Sequence, residues 1–382
     1  MNNFSFSTVP HIVSEVGASM RLGELARQHF PAASRALVVT DAGFVRTGLL
    51  EGPIKGLEAA GFTVNTCSDV IADPPDSVIL AVADQARQLN IDIVIGFGGG
   101  SSMDVAKLIA VLVKGEQQLD TMYGIGNVKG GRVPLVQVPT TAGTGSEVTP
   151  VSIVTTGATT KMGVVSPKLY ADLAILDASL TIGLPPKVTA ATGIDAMVHA
   201  IEAYTSRHKK NPLSDMLARE ALALLAGNIL TACEDGKNLA ARQSMLLGAM
   251  LAGQAFANSP VAAVHALAYP IGGIFHVPHG LSNALVLPHV LRFNAPHAEG
   301  LYRELASIVC PAGTTPSCKS LIVRLEELAA ITGIETRLRE VGVAESDVDR
   351  LTDDAMLQTR LLVNNPCDLS RDDIRSIYAA AW

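Results

Sequence analysis

The segment IDIVIGFGGGSSMDVAKLIAVLV, residues 91–113, constrains the fold of this chain more than any other stretch. An apolar run without polar alternation reads as a strand covered on both faces, the usual setting of a parallel sheet. Three glycines follow, Gly98, Gly99 and Gly100, and then a helical pattern. ALVVTD (36–41), PLVQVPTT (134–141) and LAILD (173–177) have the same buried-strand character, with helical patterns between them around 45–60 and 77–90. Strand alternating with helix is the mark of an α/β domain. Beyond LTIGLPPKVTA (180–190) strand signals nearly vanish, and helical stretches run at 190–206, 213–233, 239–257, 262–274, 297–309, 317–333 and 346–363. Pro185-Pro186 marks the change. The expected fold is an α/β N-terminal domain with a parallel sheet (residues 1–184), followed by an all-helical C-terminal domain (residues 185–382). A length of 382 residues exceeds the ~250–300 that one core usually supports, in keeping with two domains.

Composition excludes several classes of function. Hydrophobic residues make up 48% and charged residues 17%, which rules out disorder. Net charge is −7, and no basic stripe is interleaved with aromatics, so no nucleic-acid partner is expected. No apolar run reaches the ~18 residues that read as a span, and MNNFSFSTVPHIV lacks the regions of a signal peptide, so no membrane partner is expected. Five widely spaced cysteines with no CxxC pair suit a reducing, cytoplasmic setting.

The glycine turn offers an anion site. Glycines let backbone N–H groups approach a phosphate, and the following helix presents free N–H groups and the positive end of its dipole. Ser101 is expected to cap that helix, with Asp104 three residues on completing a capping box. A second loop, PTTAGTGSEVTP (139–150), brings Thr140, Thr141, Thr144 and Ser146 as donors to ribose or phosphate oxygens. Asp41 ends ALVVTD, where a carboxylate either caps the following turn or accepts from ribose hydroxyls and repels a 2′-phosphate, which would favour NAD over NADP. It precedes the glycine loop, so the ordinary Rossmann fingerprint does not apply.

The helical half carries a second constellation. TAATGIDAMVHAIEAYTS (189–206) is apolar, yet it holds Asp195 and His199 four residues apart, on one helix face. VHALAYPIGGIFHVPHGLSNALVLPHV (264–290) holds His265, His276, His279 and His289. An apolar setting penalises every unpaired imidazole or carboxylate, and a shared divalent cation satisfies several at once. Asp195, His199, His265 and His279 form a set suited to Fe(II), Zn(II), Mn(II) or Co(II) with room for a substrate oxygen.

GGGSSMDVAK (98–107), PTTAGTGSEVT (139–149), TAATGIDAMVHAIEAYTS (189–206), VHALAYPIGG (264–273) and FHVPHGLSNALVLPHV (275–290) together resemble the iron-containing (group III) alcohol dehydrogenases over essentially the whole chain. The resemblance implies a fold shared with dehydroquinate synthase. It implies NAD(P)-linked oxidation of alcohols and reduction of aldehydes, by hydride exchange with nicotinamide C4, and small alcohol or aldehyde substrates. It implies metal ligands at Asp195, His199, His265 and His279, with Fe(II) foremost and Zn(II) as the other candidate. Dinucleotide contacts fall on Asp41, Gly99, Gly100, Ser101, Asp104, Thr140, Thr141, Thr144 and Lys161. A homodimer or higher oligomer is implied, with an edge strand near the N-terminus contributing. Val151, Val164 and Phe256 are pocket candidates that suit short aliphatic substrates. Where several members have a proton-relaying histidine four residues after the third ligand, this chain has Tyr269, which leaves the relay to Tyr269 or His276. Where many have Asn-Pro, it has Asp73-Pro74. Two relatives by fold stand as alternatives: a maleylacetate reductase, which needs basic pocket residues for an acidic substrate, and a dehydroquinate-synthase-like metal lyase.

Overall fold

The computed structural model describes residues 3–71, 74–115, 117–157 and 160–382, so Asp73 lies outside the described residues. The chain divides into two compact units. One comprises residues 8–141 and 145–182; the other comprises 183–382 together with 1–7 and 142–144. The sequence reading put residues 1–7 and 142–144 in the first domain. Gly143 explains why the second of these segments groups with the helices: a Cβ there would lie 2.8 Å from Cβ of Thr192.

The first unit is built on a six-stranded sheet. Its strands are β1 (His11–Ser14), β2 (Arg35–Val39), β3 (Thr63–Cys67), β4 (Ile93–Gly98), β6 (Leu135–Pro139) and β9 (Leu173–Leu176). Their order is β1-β9-β6-β4-β2-β3, and every pair is parallel. Alternate residues Val38, Ile95, Val136 and Ile175 point into one core with Leu22 and Leu57 from the helices Leu22–His29 and Glu51–Ala59. The opposite face is also buried, as the apolar runs require. A three-stranded sheet of β5 (Gly124–Ile125), β8 (Thr160–Val165) and β7 (Val151–Thr156) completes the unit, with β7 and β8 an antiparallel hairpin. The sequence reading missed this sheet and the edge strand β3, whereas β1 is an edge strand near the N-terminus of the kind the resemblance implied.

Strand order sets the position of a site. The chain leaves β2 outward for β3 and returns to β4 on the other side of β2. Connections diverge there, and open α/β sheets bind ligands outside the carboxyl ends of strands at such a switch point. Asp41 follows β2 and Gly98–Gly100 close β4, so two separate sequence signals meet at this spot.

Among the described residues of the second unit there are helices and no strands. Pro186–Thr205 lies against Pro212–Glu234, Leu239–Asn258 and His279–Val309. Pro212–Glu234 is long and apolar enough to pass for a membrane span, with mean hydropathy 1.4, yet it buries Ala218, Ala221, Leu222, Leu225 and Ile229. The expected helix 297–309 is the end of one 31-residue helix that begins at His279 and holds Pro288 and Pro296 inside. Proline removes one intrahelical hydrogen bond and usually ends a helix, which hid this one in the sequence. The stretch 346–363 is broken into Val348–Met356 and Thr359–Leu362, and a terminal helix Arg371–Ala381 had not been foreseen.

Candidate metal and dinucleotide sites

Asp195, His199, His265 and His279 converge. Each offers a ligand atom, and the four lie within 4.8 Å of one another. Asp195 and His199 project from one face of Pro186–Thr205, and His265 sits in the first turn of Ala263–Phe275. His279 is the first residue of the long helix. His279 Nε2 stands 3.6 Å from Asp195 Oδ1, close to the edge of a tetrahedron drawn by metal bonds of about 2.2 Å. The imidazoles of His199 and His265 stack at 4.7 Å between centroids, and Phe256 stacks on His199 at 4.4 Å.

The polar groups at this site are arranged for a cation. Asp195, His199 and His265 are 2%, 4% and 2% exposed, which is costly for polar groups unless something satisfies them. The amide nitrogen of Asn283 lies 2.6 Å from Asp195 Oδ1 and 3.3 Å from Nε2 of both His265 and His279. The positive end of an amide dipole thus faces acceptors from three of the four residues, as a cation's charge would. Burial pushes the His199 imidazole down to about 3 against the pull of Asp195, so it is neutral with a lone pair to give. Burial opposes ionisation of Asp195, yet His199, His279, His265 and the Asn283 amide together hold its carboxyl below the ordinary range. A buried carboxylate and three imidazoles fit a divalent transition metal.

Two neighbours of this cluster escaped the sequence reading. Glu202 receives the Nδ1 side of His265 at 2.6 Å, and Asn283 donates to Asp195. The signal for Glu202 was available: 195, 199 and 202 follow the i, i+4, i+7 spacing of one helix face. His289, pushed down to about 4 by burial, is a half-buried residue of the long helix, outside the four-residue group. Tyr269 lies beside the cluster, its ring centroid 5.9 Å from that of His279. His276 is exposed and ends its helix in a left-handed conformation at φ 56°.

At the switch point of the sheet, Asp41 caps the short helix Ala42–Val45, with Oδ1 accepting from Phe44 N at 2.8 Å. Its other oxygen lies 3.6 Å from where a Cβ on Gly98 would stand. Thr140 N donates to Gly98 O at 3.0 Å, and the Thr141 side chain lies beside Gly99. The capping box does not form. The helix starts at Gly100 with Gly99 as its cap and no side-chain bond, which leaves Ser101 inside the first turn. Asp104 instead accepts from Ser146 Oγ at 2.6 Å, Lys107 Nζ at 3.3 Å and Ile153 N at 2.8 Å. It ties the second loop to the helix.

Lys107, fully buried, extends this tie with bonds to Ser146 Oγ, Thr149 Oγ1 and the Val151 carbonyl. Burial lowers its ammonium against the pull of Asp104 and Glu147, and burial pushes the Glu147 carboxyl up to about 7. The sequence reading missed Lys107 and Glu147, since a helical lysine ordinarily faces water. Lys161 stands on β8 with Nζ 3.2 Å from Thr155 Oγ1, and Thr144 belongs to the helical unit. Of the pocket candidates, Phe256 covers His199, Val151 is half-buried and Val164 is fully buried in the small sheet.

Comparison with known proteins agrees with this chemistry. Residues 10–178 match the family described as iron-containing alcohol dehydrogenase, and residues 189–382 match the C-terminal part of the Fe-containing alcohol dehydrogenase family. The chain is 40% identical over 360 residues to long-chain-alcohol dehydrogenase 1 of Geobacillus thermodenitrificans, covering 92% of this chain and 90% of that one. Among solved structures it is similar to a 1,3-propanediol oxidoreductase, with TM-score 0.95, 32% identity and 100% of both chains covered. It is also similar to sulfoacetaldehyde reductase from Bifidobacterium kashiwanohense in complex with NAD+, with TM-score 0.90, 28% identity and coverage of 100% and 99%. With family matches spanning the α/β and the helical halves, and with four candidate metal ligands brought together, this chain belongs to the iron-containing alcohol dehydrogenase family of oxidoreductases.

Proposed function

We propose that the protein is an NAD-linked, Fe(II)-dependent dehydrogenase that interconverts short-chain alcohols and their aldehydes, as a cytoplasmic homodimer. The observation that carries this reading is the convergence of Asp195, His199, His265 and His279 within 4.8 Å. These four residues would hold the ion. A divalent metal there supplies a Lewis acid that polarises the substrate oxygen. Asp195 offsets part of its charge, and Phe256 covers one side of His199 against water. A nicotinamide dinucleotide held at Asp41, Gly99 and Gly100 would supply the hydride acceptor for the alcohol and the hydride donor for the aldehyde. The proton relay falls to Tyr269, whose ring lies beside that of His279, or to the exposed His276.

The choice of NAD is supported by Asp41 at the switch point, where a carboxylate would repel a 2′-phosphate. Iron is supported by the family to which the chain belongs, and Zn(II) is the competing ion for the same ligands. Assembly is supported by β1, which among the described residues pairs only with β9 and stands at the sheet edge beside the exposed Ile12, Val16 and Met20. A reducing compartment is supported by five free cysteines.

The test uses protein purified without oxygen. Oxidation of NADH and of NADPH is followed with straight-chain aldehydes from acetaldehyde to hexadecanal, before and after chelation. Activity with NADH that peaks at short chains, disappears on chelation and returns with Fe(II) is the expected result. Activity that survives complete metal removal would overturn the reading.

A further inference from the structure

We propose that Glu202 is a positioning residue of the metal centre: its carboxylate fixes the tautomer of His265, so that Nε2 presents its lone pair to the metal. The proposal rests on the metal reading of the site.

Glu202 is 4% exposed, seven residues after Asp195 and three after His199 on the same helix. Its Oε2 lies 2.6 Å from His265 Nδ1. A carboxylate only accepts, so Nδ1 must carry the proton and donate. The lone pair is then left on Nε2. That nitrogen faces the Asn283 amide nitrogen, a donor, at 3.3 Å. Contacts on opposite sides of the ring therefore demand the same tautomer.

The other oxygen does a second task. Glu202 Oε1 accepts from Val264 N at 2.7 Å. Val264 is in the first turn of Ala263–Phe275, where N–H groups have no intrahelical partner. The residue at the cap position is Ala262, with no side-chain bond to offer. One carboxylate from the neighbouring helix thus anchors both the helix that carries His265 and the ring itself. The His199 ring, by contrast, is stacked between Phe256 and His265. Carboxylates that orient a ligating imidazole also raise its basicity, and their loss costs metal affinity. With Asp195, Glu202 offsets the charge of a divalent ion.

The test is Glu202→Gln, which keeps the shape. Glutamine brings an NH2 group to one of the two contacts. Facing Nδ1, it forces the imidazole to accept there and moves the ring proton to Nε2, which blocks ligation. Facing Val264 N, it sets two buried donors against each other. Zinc affinity of metal-free protein, measured by competition with a chromophoric chelator, is expected to fall about 10- to 100-fold. A merely structural Glu202 would lower the thermal midpoint of the metal-free protein and leave zinc affinity within about twofold of wild type; that result overturns the proposal. A second measurement needs no variant. Imidazole 15N shifts of the metal-free wild type, assigned with His265→Ala, should show the His265 proton on Nδ1, and a proton on Nε2 overturns the proposal. Failure of the metal reading itself looks different: wild type and His265→Ala would bind zinc alike, and the proposal would fall with it.

Discussion

Gly99 is a glycine that neither backbone conformation nor packing demands. Its φ of −74° and ψ of −176° are open to any residue, and a Cβ would meet only the Thr141 side chain at 3.8 and 3.9 Å. Gly98 differs, since a Cβ there would stand 2.7 Å from Ser102 Oγ. What Gly99 leaves clear is space at the carboxyl end of β4, beside the helix N-terminus where a pyrophosphate would sit. Gly99→Ala is therefore expected to leave the thermal midpoint close to that of wild type, the ~0.4–1 kcal/mol gained from a stiffer unfolded chain being offset by alanine's poor fit at a helix N-cap. The KM for NAD should rise at least ~10-fold, the scale of one lost close contact at 1.4 kcal/mol per decade. An unchanged KM would show that the glycine keeps no room for the dinucleotide. Residues of this kind were legible in the sequence because three successive glycines stand out against their entropic cost. Asp104 was misread at the same scale. Its spacing from Ser101 matches a capping box, but Ser146 and Ile153 are distant in sequence and take the carboxylate instead.

At the scale of elements, the metal site depends on how closely two helices approach. A Cβ on Gly280 would lie 2.4 Å from the Ala191 carbonyl oxygen and 3.2 Å from Cβ of Asp195. The start of His279–Val309 thus rests on the backbone of Pro186–Thr205, and this contact brings His279 to within 3.6 Å of Asp195. Gly280→Ala should push the helices apart, lower stability by about 1–3 kcal/mol and reduce metal content in the purified protein. Full metal retention with an unchanged unfolding free energy would refute this account. Helix identity followed from apolar periodicity, as in Pro186–Thr205 and Leu239–Asn258. The long helix did not, because Pro288 and Pro296 are local stop signals that packing of Leu285, Val290 and Tyr302 on its buried side overrides.

At the scale of the molecule, each site is contained in one unit except for a single loop. The four candidate metal ligands belong to the helical unit, whereas Asp41, Gly98–Gly100 and Thr140–Thr141 belong to the sheet unit. A ligand that binds only the folded state stabilises the part that holds it. Hydrogen exchange after chelation should therefore speed up in Pro186–Thr205 and Ala263–Phe275 and stay unchanged in β2 and β4. Equal deprotection of the strands would show that the two units open as one. Ala142–Thr144 breaks the pattern, since this loop segment leaves the sheet unit and returns to it.

Legible in the chain alone were the class of fold, the loss of strand signals near residue 185 and the four residues, Asp195, His199, His265 and His279, that converge as a candidate metal site. Local physics writes these into the chain. Periodicity reports which faces are buried, and ionisable side chains in apolar runs stand out because burial penalises them unless they are satisfied. The contacts of Glu202, Asn283, Lys107 and Asp104 emerge from packing between elements. Each makes its decisive contact with a residue from another element, such as Glu202 with His265 across 63 positions and Lys107 with Ser146 across 39. Hydrogen bonds between elements are fixed by packing, and no local pattern of residues carries that information.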